Sequence, residues 1–208
     1  GLDRVGDGLI KLPFVRGLRA AYPDARITWL AGKDTSVYAS VLKGAVAGLI
    51  DEVIERANIG LALRELLHNP LPGRFFDLII DTQRVALASL VLHRICHGAI
   101  VSPFAHFALS SRKPPRGYKF PRGMQRQLLD LLEVATGIPQ PTPSGLAIDI
   151  DPALRDLAAR LLPGGPVYVG LAPGAGGLPK CWPLENFIAL AKIQLAAGRV
   201  PVFILRPA

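Results

Sequence analysis

Apolar residues in this chain fall into two kinds of run. Short, nearly unbroken runs occupy 26–32 (RITWLAG), 49–54, 75–83 (FFDLIIDTQ) and 98–102. Each has the length and density of a buried strand. Between them lie stretches with helical spacing at 13–22, 35–43, 59–68 and 85–95, and another follows at 123–136. In the first of these Phe14, Leu18 and Ala21 share a face while Arg16 and Arg19 turn elsewhere, and Pro13 marks its first turn. The alternation restarts with a helix over 152–162, a strand over 166–173, a helix over 183–197 and a strand over 200–205. Near-continuous apolar strands separated by helices predict α/β architecture with parallel sheets covered on both faces.

Proline and glycine divide the chain. The segment GIPQPTPSG (137–145) holds three prolines and two glycines in nine residues and reads as a linker. This predicts a first domain over 1–145 and the start of a second over 146–208. The first domain opens on Gly6-Asp7-Gly8 with only Gly1 to Val5 ahead of it. A glycine-flanked acid of this kind usually sits on a loop after a buried strand, so the reading is that a first strand is missing. The second α/β unit has begun by Ala208 and is not completed there.

Half of the 208 residues are hydrophobic and 19% are charged, which fits a globular chain and excludes a disordered one. No apolar run reaches the roughly 18 residues of a spanning helix. Cys96 and Cys181 fit no zinc spacing and suit free thiols in a reducing cytosol. The net charge of +8 points to an anionic partner or merely to solubility. Its distribution is uneven: RKPPRGYKFPRGMQR carries Arg112, Lys113, Arg116, Lys119, Arg122 and Arg126 and no acid. For any one of these cations a solvated loop position is as good a reading as a ligand contact.

Two stretches could carry chemistry. After the strand at 166–173 comes Pro173-Gly174-Ala175-Gly176-Gly177, then Lys180, then a helix. Glycines let backbone N–H groups approach an anion, and a helix N-terminus and a lysine add positive charge. The stretch is not a P-loop, because Pro179 and Cys181 flank the lysine. A tight turn with a surface lysine is the simpler alternative. The other stretch is Gly6-Asp7-Gly8. At a strand's carboxyl end an acid would lie on the ligand-binding edge of an open sheet; as an ordinary N-cap it would serve the helix alone. Asp81 and Gln83, at the end of a strand, either line a cleft or cap the strand. In HRICH, His93 and His97 stand one helical turn apart, but no carboxylate is near, and they read as helix-end residues. The DID triplet at 149–151 reads as part of a helix cap rather than a cation site.

Taken together, VGDGLIKLPFVRGLRAAYPDARITWLAG, FDLIIDTQ and the Pro173, Gly174, Ala175, Lys180, Trp182, Pro183, Glu185, Phe187 pattern resemble the bacterial lipopolysaccharide heptosyltransferases of glycosyltransferase family 9. The resemblance implies a GT-B fold of two Rossmann-like domains with parallel sheets, the first lacking its N-terminal strand and the second incomplete. It implies an inverting, metal-independent transfer of heptose from ADP-heptose to the inner core of lipopolysaccharide, with no cofactor beyond the nucleotide-sugar donor. Asp7 would be the general base. Lys180 with Gly174, Ala175, Gly176 and Gly177 would hold the donor phosphates. Some relatives carry hydroxyl residues where Ala175 and Gly176 stand, so backbone N–H groups would replace them. Gly6, Gly8, Arg112, Lys113, Arg116, Lys119 and Arg122 would face an acidic acceptor bearing carboxylates and phosphates, with Tyr118 and Phe120 free to touch sugars or a membrane surface. Such an enzyme would be cytoplasmic, compatible with peripheral contact at the inner leaflet of the inner membrane, would bind no nucleic acid, and in this fragment would be inactive. Another GT-B nucleotide-sugar enzyme, such as an epimerase, is the second reading. A non-catalytic basic module for nucleic acid or anionic lipid is the third.

Overall fold

The computed structural model describes residues 5–145, 148, 150–174 and 178–205 of the chain. It separates into two compact units, Gly1–Asp149 and Ile150–Ala208.

The first unit begins with a helix, α1 (Val5–Ala21), so Gly6-Asp7-Gly8 forms its first turn rather than a loop, and Pro13 lies inside the helix rather than at its start. A mid-helix proline forfeits one hydrogen bond and crowds the preceding turn. Burial offsets this: Leu12, Phe14 and Val15 around it are at most 2% exposed. The glycine at position 8 permits close approach, since a Cβ there would stand 2.6 Å from Val37 Cγ2 and 2.8 Å from Leu42 Cδ1. The Gly8 carbonyl also accepts from the Tyr38 hydroxyl at 2.7 Å. An alanine at this position gains about 0.5–1 kcal/mol of helix propensity. It also forces the contact with Val37, and overpacking of this kind costs about 1–3 kcal/mol. We therefore expect Gly8→Ala to lower stability by about 1 kcal/mol in urea unfolding, with no change in slope.

Strands β1 (Thr28–Leu30) and β2 (Glu52–Ile54) form one parallel pair. Strands β3 (Phe75–Ile80) and β4 (Cys96–Val101) form another. Helix α2 (Ala86–Leu92) connects β3 to β4. Helix α3 (Met124–Thr136) lays Leu128, Leu131, Leu132 and Ala135 against the core and ends on left-handed Gly137. The segments at 35–43 and 59–68 were expected as α-helices and are instead short 3-10 turns, Val37–Ala39, Gly44–Val46 and Leu63–Leu67. Local polar groups stop them from lengthening. Ser36 Oγ accepts the Tyr38 N–H. The Glu65 carboxylate gathers the N–H groups of Gly60, Leu61 and Ala62 at 2.6–3.2 Å.

A cavity of about 720 Å³ is lined by residues of both strand pairs. Ala31 N–H bonds Ile54 O and Asp81 N–H bonds Val101 O, both at 2.8 Å. Backbone groups alternate in direction along a strand. Those of Thr28 and Leu30 on β1, and of Phe76, Leu78 and Ile80 on β3, therefore point toward the cavity. Arg74 bridges the two pairs at one end, its Nη1 and Nη2 donating to Glu52 at 2.9 and 2.8 Å. This fork holds the Glu52 carboxyl below its ordinary range.

In the second unit, α4 (Pro152–Leu161) is capped by Asp151, whose carboxylate accepts the Ala153 N–H at 2.9 Å. Asp149 of the DID triplet lies outside the described residues. Strands β5 (Tyr168–Leu171) and β6 (Val200–Phe203) pair in parallel, and α5 (Leu184–Ala196) connects them. Leu171 and Ala191 are its buried residues among those described, while Leu154, Leu157 and Leu161 of α4 stay exposed.

Candidate active site

Asp7 is half-buried in the first turn of α1 and opens onto a second cavity of about 210 Å³ in the first unit. A carboxylate there lies among the N–H groups of the first helical turn, which have no partner within the helix. Lys11, one helical turn on, reaches the same cavity and is only 4% exposed. Its ammonium lies 5.3 Å from the Trp29 ring centroid. The opposite wall is the loop that leaves β3, with Thr82, Gln83 and Arg84. Phe120, Met124 and Gln127 complete the mouth. The loop is fixed by its neighbour Asp81, 2% exposed, whose carboxylate accepts from Ser89 Oγ at 2.5 Å, Ser102 Oγ at 2.8 Å and Gln83 N–H at 2.8 Å. Burial pushes its pKa up, against those three hydrogen bonds. Asp81 is thus a strand-end anchor, and Gln83 is the member of that pair facing the Asp7 cavity.

The other acceptor-side residues are placed differently. Gly6 is exposed, and no described atom lies near where its Cβ would be. Gly8 is buried against Val37 and Leu42 and serves packing. The guanidinium of Arg112 donates to the Ala135 carbonyl near the end of α3, a structural bond. Lys113, Arg116, Lys119 and Arg122 are exposed, and none lines the Asp7 cavity. The rings of Tyr118 and Phe120 are not free faces, because they pack with Phe107 at 5.8 and 5.7 Å. The Tyr118 hydroxyl donates to Asp130 at 2.6 Å. Burial first, and this bond second, push its pKa up.

On the donor side, Gly174 is exposed just after β5, and Lys180 is exposed in a 3-10 turn, Leu178–Lys180, ahead of α5. Trp182 packs edge-on against Phe187 at 4.9 Å, fixing the entry to α5. Ala175, Gly176 and Gly177 lie outside the described residues. Asp7 and Lys180 belong to different units. Among the described residues no three His, Cys, Asp or Glu side chains cluster as metal ligands, and no helix is long and apolar enough to cross a membrane.

Lys11 and Arg84 are the site cations that sequence reasoning missed. Lys11 stands ahead of the helix expected over 13–22 and carried no signal of its own. The one signal at Arg84 was its place directly after the Asp81–Gln83 strand end.

Parallel α/β units of this kind recur in solved glycosyltransferases. The fold matches a family 9 glycosyltransferase from Veillonella parvula at a TM-score of 0.64, with 21% identity over 96% of this chain and 60% of that one. It also matches E. coli ADP-heptose lipopolysaccharide heptosyltransferase II at 0.52, with 20% identity over 98% of this chain and 62% of that one. E. coli heptosyltransferase WaaC with ADP matches at 0.60, with 19% identity over 99% and 65%. The chain thus spans about three-fifths of the length of these structures. No curated protein sequence matches it. The family model for glycosyltransferase family 9 (heptosyltransferase) matches residues 65–208, and the chain belongs to that family.

Proposed function

We propose that this chain is the acceptor-binding unit and the beginning of the donor-binding unit of a heptosyltransferase. It would move heptose from an ADP-sugar to an acidic lipopolysaccharide-core acceptor, with inversion and without a metal. The observation that carries the reading is the carboxylate of Asp7, held at the start of α1 and open to a cavity lined by polar and cationic side chains. The protein with this activity is a cytoplasmic enzyme, and the exposed cations of 113–122 suit peripheral contact with an anionic inner leaflet.

In the mechanism, Asp7 takes the proton from the acceptor hydroxyl as its oxygen attacks the anomeric carbon. A bond forms from that oxygen to the sugar, and the bond from the sugar to the diphosphate breaks. The electron pair leaves with ADP. Charge grows on the diphosphate as positive charge grows on the sugar ring, so catalysis requires donors at the phosphates. Lys180 and the backbone of the glycine loop supply them, helped by the N-terminal end of α5.

The test is transfer by the full-length protein from ADP-heptose to a lipopolysaccharide-core acceptor, followed as ADP release and acceptor mass. Stabilisation by single-stranded RNA with no response to ADP-sugars would reject the proposal in favour of a basic binding module. Within it, Lys180→Met is expected to raise the donor KM by about tenfold or more, the worth of a charge-assisted contact of ~1.5–3 kcal/mol. Loss of a transition-state contact would also lower kcat.

A further inference from the structure

The residue at the Asp7 cavity best placed to read the acceptor is Arg84. Its guanidinium carbon lies 3.9 Å from the centroid of the Phe120 ring. Its Nη1 donates to Gln127 Oε1 at 3.2 Å, and Gln127 Nε2 donates in turn to Pro121 O at 2.6 Å. The ring beneath it is held as well. Phe120 stacks on Phe107 at an interplanar angle of 12°, and Tyr118 and His106 pack against it at 5.3 and 5.2 Å. Phe107 is 1% exposed and sits at the end of a turn in which Ala105, His106 and Phe107 have φ of 47°, 52° and 62°. Side-chain-bearing residues rarely adopt this left-handed backbone, and it persists only where surrounding structure enforces it. The strained turn therefore supports a fixed aromatic platform, and the platform aims an arginine at the cavity.

A guanidinium carries five N–H donors in a planar fork. Among the described residues Arg84 has no ion pair, and its one hydrogen bond goes to Gln127. The rest of the fork is available to a ligand, and planar forks match carboxylates and phosphates. Resting on the reading that the Asp7 cavity receives the acceptor, we propose that Arg84 binds an anionic substituent of the acceptor, a carboxylate or a phosphate, and so holds the neighbouring hydroxyl toward Asp7. Arg84 sets specificity; it takes no part in bond making.

The experiment uses the full-length transferase with three acceptors: an anionic core oligosaccharide, the same compound with its carboxylates reduced to alcohols, and the same compound dephosphorylated. Arg84→Met is expected to raise KM for the anionic acceptor by about tenfold, with a smaller change in kcat. The two enzymes should converge on whichever acceptor lacks the group Arg84 reads, which separates carboxylate from phosphate. Arg84→Lys should recover only part of the loss, because it keeps the charge and not the fork. Equal KM values for wild type and Arg84→Met on the anionic acceptor overturn the proposal. So does a loss that is the same on all three acceptors, which would mark Arg84 as a shaping residue alone. Equilibrium binding of the anionic acceptor without donor keeps the outcomes distinct. If wild type transfers sugar to nothing, the transferase reading fails, while a tenfold weaker affinity in Arg84→Met still upholds the anion site and an unchanged affinity still rejects it.

Discussion

Asp7→Asn is expected to lower kcat of the full-length transferase by about 10²–10⁴-fold, the usual contribution of a positioned general base. Asparagine has the shape of aspartate and fills the same place in the first turn of α1, so KM for the acceptor should change little. The amide lacks the lone-pair basicity needed to take the hydroxyl proton. It also lacks the charge that interacts with the helix N-terminus, an effect worth about 0.3–1 kcal/mol at an exposed or half-buried position. Stability should therefore fall by no more than that, and far less than the barrier rises, which a kcat ratio paired with an unfolding midpoint will separate. Transfer at close to the wild-type rate would remove Asp7 from the base role. The Asp7 cavity would then be left as a binding pocket whose chemistry is done elsewhere.

How much of this was legible in the sequence depends on how local the cause is. The strand at Phe75–Ile80 was clear because an apolar run ending in Asp81 has few other ways to be satisfied. Helices α3, α4 and α5 lie within a residue or so of their expected bounds, since each has helical periodicity and a proline or glycine at an end. The short 3-10 turns were misread because Ser36 and Glu65 hydrogen-bond to nearby backbone, which periodicity does not register. The first turn of α1 was misread for a tertiary reason. Two glycines around an acid suggest a loop, but Gly8 is there to let Val37 and Leu42 approach. The candidate base was legible as a residue type at a suggestive place. Its surroundings were not, because Arg84 reaches the Asp7 cavity only by lying on Phe120, 36 positions later in the chain. The longer basic segment drew attention by composition, yet Arg112 is spent on a helix-end carbonyl and its exposed neighbours lie off the cavity.

Asp81→Ala should destabilise the first unit by about 2–6 kcal/mol. The substitution removes the acceptor for three donors at once: Ser89 Oγ, Ser102 Oγ and the Gln83 N–H. Ser89 and Ser102 are at most 1% exposed, so water cannot readily replace the carboxylate. Each buried donor left unmade costs about 1–3 kcal/mol. The loss also frees the loop carrying Gln83 and Arg84, so the acceptor KM should rise even where the protein stays folded. Asp81→Asn distinguishes charge from hydrogen bonding. Hydroxyls can rotate to accept from an amide, so this variant should lose less. It also has no titration. Burial raises the folded pKa of Asp81 above its value of 3.8 in a free chain. Between those two values the native state holds a proton that the unfolded state has released, so this group's contribution to stability falls as pH rises through that window and is flat above it. Asp51 and Glu52 act in the opposite sense: their folded pKa values are lowered, and the stability they lend is present above their free-chain values and lost as pH falls through the folded ones. The stability of wild type relative to Asp81→Asn, measured by urea unfolding from pH 4 upward, should therefore decline and then level off. Subtracting the variant cancels Asp51 and Glu52, which are common to both. A difference that rises with pH would mean that the folded pKa is lowered rather than raised, the three hydrogen bonds to the carboxylate outweighing its burial.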